Sequence, residues 1–168
     1  MFKKKLIIFM PFIDIGGVEK NLYIISNYLA NKVKDLRICT FSKNKKRKFN
    51  KNIKFITSNS KINKKTNNRL KYIFFLFLLF KFLVKNRDSV VFAFQGNIYC
   101  ILLCKFLGIQ VIVRTNTSPS GWDHNSIKKR IYKKIISKAD AVISNSYNFK
   151  KQMEEQFDIK VKCIFNPL

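Results

Sequence analysis

Short, unbroken apolar runs alternate with longer stretches of helical spacing along almost the whole chain, and this alternation constrains the fold more than any other feature. Residues 5–10 (KLIIFM) lack the polar alternation of a half-exposed strand and read as a strand buried on both faces of a parallel sheet. Residues 36–41 (LRICTF), 53–56, 90–94, 110–114, 141–144 and 161–165 read as further strands. Helices are predicted over 18–31, 69–85, 97–107, 126–138 and 147–157; in the first, Val18, Leu22, Ile25 and Leu29 recur near helical spacing. Such a chain predicts an α/β fold: a Rossmann-like, doubly wound parallel sheet with right-handed crossovers and helices on both faces. Its 168 residues suit one domain, and no internal repeat or boundary divides them.

Charge narrows the partners. Lys and Arg number 34 against 9 Asp and Glu, so phosphate-rich species are attracted: nucleic acid, anionic lipid or anionic sugar donors. Lys, Asn, Ile and Phe are over-used together, so codon bias with a solvated lysine surface is the alternative to a selected anion-binding face. No nucleic-acid motif accompanies the charge, and nucleic acid is not expected as a partner. Cys39, Cys100, Cys104 and Cys163 all lie in apolar strand or helix contexts, and no His or second Cys pair completes a metal set. They read as buried, reduced thiols of a cytoplasmic protein, with no metal.

Two apolar stretches touch on membranes. Residues 1–13 begin basic and continue apolar, but Pro11 breaks the run, Asp14 follows and no small-residue cleavage site appears. Residues 72–84 (YIFFLFLLFKFLV) cover only about 20 Å as a helix, against about 30 Å of hydrocarbon, and Lys81 interrupts them. This stretch is either a very apolar core helix or a helix lying in a membrane interface between basic flanks at 61–71 and 81–87.

Ligands of an open parallel sheet bind outside the carboxyl ends of its strands. That rule selects residues 11–17, 95–97, 114–122, 145–146 and 166, which are polar or glycine-containing while the lysines lie elsewhere. Gly16 and Gly17 open a helix, where backbone amides cradle a phosphate, or they simply make the turn. Neither GxGxxG nor GxxxxGK[ST] is present. Glu19, in the first helical turn, complements the helix dipole and carries charge toward the cleft. Arg114, Thr115, Asn116, Thr117 and Ser118 suit sugar hydroxyls or a phosphate; the alternative is an arginine paired with a carboxylate and hydroxyls that cap the loop. His124, the only histidine, reads as an exposed loop side chain beside Trp122 and Asp123, with base catalysis as the alternative. Ser144 or Ser146 is expected to cap the following helix, and Asn145 is the candidate ligand contact between them.

The ordered segments GGVEKNLYIISNYLA at 16–30, VVFAFQGN at 90–97, VIVRTNTSP at 111–119, KADAVISNS at 138–146 and IFNPL at 164–168 resemble the amino-terminal domain of family 4 glycosyltransferases of the GT-B fold. The resemblance implies one half of a GT-B architecture, with residues 1–168 as the acceptor-side domain and the carboxy-terminal, donor-binding domain absent. It implies retaining transfer from a nucleotide-sugar to a saccharide or lipid-linked acceptor, in cell-surface polysaccharide or lipopolysaccharide synthesis, without metal or cofactor. Gly16 and Gly17 then lie near the donor phosphates, and Glu19, Asn97, Arg114, Asn116 and Asn145 hold the acceptor. Some members place a His where this chain has Arg114, Thr115 and Asn116, so that role does not transfer and no catalytic residue is assigned. The expected location is cytoplasmic, peripheral on an anionic inner membrane face. The chain alone is expected to be inactive. The alternatives are one subunit of a split transferase, or a basic membrane-binding protein without catalysis.

Overall fold

The computed structural model describes residues 4–13, 16–41, 48–57, 68–95, 97–116 and 126–167. Asp14, Gly96, Thr117, Ser118, Trp122, Asp123 and His124, which the sequence singled out, lie outside these. The strands are β1 (Lys5–Phe9), β2 (Leu36–Cys39), β3 (Lys54–Ile56), β4 (Ser89–Ala93), β5 (Gln110–Thr115), β6 (Ala141–Ser144) and β7 (Val161–Cys163). All pair parallel, in the order β3-β2-β1-β4-β5-β6-β7. The helices are α1 (Gly17–Ala30), α2 (Asn68–Val84), α3 (Asn97–Phe106), α4 (Ser126–Ile136) and α5 (Tyr147–Phe157). The Rossmann-like doubly wound sheet expected from the alternation is the fold observed.

Successive side chains of a strand point to opposite faces, so each strand feeds two cores. Ile7, Phe9, Val91, Val111 and Val113 face one side, where they pack with Phe75, Leu79 and Leu83 of α2, Cys100 and Cys104 of α3, and Met153 and Phe157 of α5. Leu6, Ile8, Ile38, Phe92 and Phe94 face the other side and meet α1 through Leu22 and Ala30. Among the described helices, four therefore cover one face and α1 alone covers the other. Beside α1, Ile24, Tyr28, Phe92, Arg114, Ile143 and Phe165 line an apolar groove of about 470 Å³.

Several sequence expectations shift. Of the expected stripe of α1, Leu22 is buried and Val18, Ile25 and Leu29 pack partly buried against the core, while Asn21, Ser26 and Ala30 complete the buried face. Small residues on that face let the helix lie close to the sheet. The second strand ends at Cys39 because Phe41 turns its amide to Pro11 O, at 2.8 Å. The last strand ends at Cys163, leaving Ile164 and Phe165 exposed. Cys39, Cys100 and Cys104 are buried free thiols, whereas Cys163 is only half-buried. Burial pushes the Cys104 thiol up to about 12, which keeps it protonated and unreactive at neutral pH.

Gly108, with φ of 68°, ends α3 in the left-handed conformation, and Ile109 N–H donates back to Cys104 O at 2.8 Å. At the amino edge, Arg37 donates Nε and Nη2 to the two oxygens of Asp35, at 3.0 and 2.9 Å. These hydrogen bonds hold the Asp35 carboxyl below its ordinary value. A depressed carboxylate stabilises the fold above its unfolded pKa of about 3.9, and that contribution is lost as pH falls through the lower folded value. Asp35→Asn should therefore cost about 1 kcal/mol at pH 7 and almost nothing near pH 2. Urea denaturation of both proteins at the two pH values checks this.

Candidate functional site

The carboxyl ends of β1, β4, β5, β6 and β7 lie side by side, and the connections diverge to opposite sides between β1 and β4. This is where an open sheet leaves a crevice. After β1 the chain enters α1 through Gly16 and Gly17, both exposed. Gly16 has an extended backbone, with φ of 179°, so the turn does not require a glycine there. A side chain at Gly16 would meet Glu19 Oε2 at 2.8 Å from its Cβ, and one at Gly17 would meet nothing within 4 Å. Among the described residues nothing therefore crowds the Gly17 side of the helix N-terminus, where the first amides of a helix favour an anion. Glu19 folds back over the Gly16 side, and its carboxylate would repel an anion placed there.

Between β4 and β5 the edge is tied by two asparagines. Asn97, the first residue of α3, donates Nδ2 to Arg114 O at 2.9 Å, and Asn116 donates Nδ2 to Phe94 O at 3.5 Å. The bond made by Asn97 Nδ2 fixes the orientation of its amide, and among the described residues no donor reaches the buried Asn97 Oδ1. The buried Asn145 Oδ1, just past β6, likewise meets no donor among them. Buried acceptors without a donor are uncommon, and here two lie on the same carboxyl edge. Ser146, beside Asn145, is the helix cap: its Oγ accepts from Phe149 N–H at 3.1 Å. Capping therefore explains Ser146 and leaves Asn145 unaccounted for by local structure.

Arg114 points to the α1 side of the sheet and is only 2% exposed. Its Nη2 donates to Asn166 Oδ1 at 2.6 Å, its Nε to Asn116 Oδ1 at 3.3 Å, and its guanidinium carbon lies 5.7 Å from the centre of the Phe94 ring. Burial pulls its pKa below the ordinary arginine value. Among the described residues no carboxylate of the kind the sequence allowed holds it; two amide oxygens do. Asn166 thereby joins the expected site residues, through a contact 52 positions apart in sequence. Tyr72 of α2 was missed altogether. Its ring meets Phe9 edge-on at 5.9 Å and its buried hydroxyl has no partner among the described residues, yet in sequence it is one aromatic among many. Among the described residues no three of His, Cys, Asp and Glu gather as a metal site would require.

A doubly wound parallel sheet with amides, one guanidinium and a helix N-terminus gathered at its carboxyl edge defines a Rossmann-like domain. The sequence matches the profile of Glycosyltransferase Family 4 over residues 15–168, and the chain belongs to that family. No curated protein sequence matches it. Its fold is similar to that of Anabaena HepE, crystallised with UDP and glucose, at a TM-score of 0.69 and 12% identity. A glycosyltransferase from Rickettsia africae is similar at a TM-score of 0.66 and 20% identity. A UGT transferase from Siraitia grosvenorii in complex with UDP follows at 0.59 and 10%. The alignments cover 98%, 97% and 96% of this chain but 45%, 43% and 51% of those chains, so the chain spans about half their length.

Proposed function

We propose that this chain is the acceptor-side domain of a retaining, nucleotide-sugar-dependent glycosyltransferase of cell-surface polysaccharide or lipopolysaccharide synthesis, working at the inner face of the cytoplasmic membrane. The observation that carries the reading is the pair of buried oxygens, Asn97 Oδ1 and Asn145 Oδ1, at the carboxyl edge of the sheet, which meet no donor among the described residues. Sugar hydroxyls are donors of the right kind and number for such acceptors. In this reading Asn97, Asn116 and Asn145 orient the acceptor, and Arg114 holds the β5 end and supplies positive charge. Gly17, with Gly16 beside it, lets the donor phosphates approach the first amides of α1, while Glu19 marks the acceptor side of that approach. Retention, a hexosyl group as the one transferred and the absence of a cofactor rest on the family resemblance alone. A carboxy-terminal domain, in the same or another chain, would supply the rest of the donor site.

Titration of the isotopically labelled chain with UDP-glucose and with short oligosaccharides tests this. Amide shifts should concentrate at Gly16, Gly17, Asn97, Asn116 and Asn145, and the chain alone should transfer no labelled sugar. Shifts confined to the lysine-rich helices would overturn the site, and transfer by this chain alone would overturn the division of labour. Gly17→Ala should raise stability by up to about 1 kcal/mol, since no atom of the described residues opposes the new methyl. The same change should weaken UDP-glucose binding. A loss of stability would mean that the glycine serves the fold.

A further inference from the structure

On a helix that covers a sheet, the stripe facing water should be polar. In α2 the buried stripe is Phe75, Leu79 and Leu83, and the exposed stripe is Leu70, Ile73, Phe77 and Val84, interrupted only by Lys81. Its neighbour α3 repeats the pattern: Tyr99, Leu102 and Phe106 recur at helical spacing on the outer side, and Phe106 is 81% exposed. The two helices touch, with the rings of Tyr72 and Tyr99 at 5.4 Å. Next to α3, α4 adds exposed Ile131 among Lys129, Arg130 and Lys134. None of the three helices contains an acidic residue. Side by side they present a face about 30 Å across.

We infer that the outer face of α2, α3 and α4 is a docking surface for an anionic phospholipid bilayer, with the apolar stripes entering the headgroup boundary and the lysines meeting lipid phosphates. An exposed apolar patch of this breadth implies a partner, and the sign of its surround selects which one. Interleaved aromatic and aliphatic side chains with lysines, on helices whose nearest carboxylates are Asp140 beside Lys105 and Asp158 beside Lys133, match an acidic interface. A second copy is a poor occupant, because each chain carries a net charge of +25 and would bring the same three acid-free helices. No described helix is long and apolar enough to cross the bilayer, so the contact is parallel to the surface. The groove beside α1 lies on the opposite face of the sheet and is not part of it.

The assignment deepens the peripheral location proposed above and rests on it. The test is co-sedimentation with vesicles of phosphatidylcholine alone and of phosphatidylcholine with 30% phosphatidylglycerol. The wild-type chain should pellet with the anionic vesicles and only weakly with the neutral ones. The triple variant Ile73→Ser, Phe77→Ser, Phe106→Ser should bind the anionic vesicles at least tenfold more weakly, with circular dichroism and melting temperature unchanged. Equal binding by the triple variant would overturn the docking surface while leaving the peripheral location standing. No binding by the wild-type chain would remove both, without touching the carboxyl-edge site. Loss of a dimer in the triple variant, with vesicle binding intact, would make the face a self-interface instead. If the triple variant unfolds, Lys129→Glu with Lys134→Glu carries the test, and unchanged binding of anionic vesicles by that variant would also overturn it.

Discussion

Phe75→Ala should cost about 3–5 kcal/mol of unfolding free energy, whereas Phe77→Ala, two residues along the same helix, should cost less than about 1 kcal/mol. The first change would consume a large part of the ~5–15 kcal/mol that keeps a typical domain folded. The two residues are identical in type, in helix and in apolar sequence context. They differ in direction. Phe75 is fully buried against the sheet, with Phe41 and Phe74 rings edge-on at 5.7 Å each, while Phe77 is half-exposed, stacked on Phe80 with Lys81 above it. Deleting Phe75 leaves a cavity that a close-packed layer cannot refill, and deleting Phe77 returns its site to water. Urea titration of the two variants separates them. Equal costs would mean that α2 is rotated about its axis from the orientation described.

That pair also shows where sequence reasoning stops. The strands were legible because a parallel sheet covered on both faces demands unbroken apolar runs, and KLIIFM or VVFAF can do little else. Helix α5 was legible to the residue, since Ser146 caps it and the chain turns over at Asp158, with φ of 51°. The orientation of α2 was not legible. When nearly every residue is apolar, periodicity carries no signal, and only the packing of Phe75, Leu79 and Leu83 fixes the phase. The two sequence readings of this stretch, core helix and interfacial helix, name its two sides: one stripe fills the core and the other is exposed. In α1 the expected stripe of Val18, Leu22, Ile25 and Leu29 does meet the core, but the small Ser26 and Ala30 that share the buried face with Leu22 carry no apolar signal in sequence.

The candidate site divides along similar lines. Its location followed from topology, since strand ends can be placed before any side chain is. Its bonding could not. Ser146 and Asn145 are both expected between a strand and a helix, and only the bond from Phe149 N–H to Ser146 shows that the serine alone is used. The contact of Arg114 with Asn166 joins the ends of β5 and β7, which β6 separates, so no local pattern announces it. A buried guanidinium held by amides rather than a carboxylate is also unusual in kind. It keeps its full charge, whereas an ion pair would cancel it.

Arg114→Met should therefore weaken binding of a sugar phosphate, such as glucose 1-phosphate, by about 10- to 100-fold, and leave unfolding free energy within about 1 kcal/mol of the wild type. The fold loses two amide bonds in this change, but Asn166 is exposed and its oxygen returns to water. Against that loss stands the removal of a buried charge that no described carboxylate pairs, which is costly to keep and is often neutral or favourable to replace with an apolar side chain of similar length. The methionine would sit among Phe92, Ile143 and Phe165 in the groove it already lines. Arg114→Lys keeps the charge and loses the planar fork, so it should recover only part of the affinity. Isothermal titration with the phosphate, beside thermal melts of all three proteins, decides the matter. Unchanged binding with a loss of 3 kcal/mol or more would make Arg114 a structural tie between strand ends, and the positive charge at the carboxyl edge would then have to come from elsewhere.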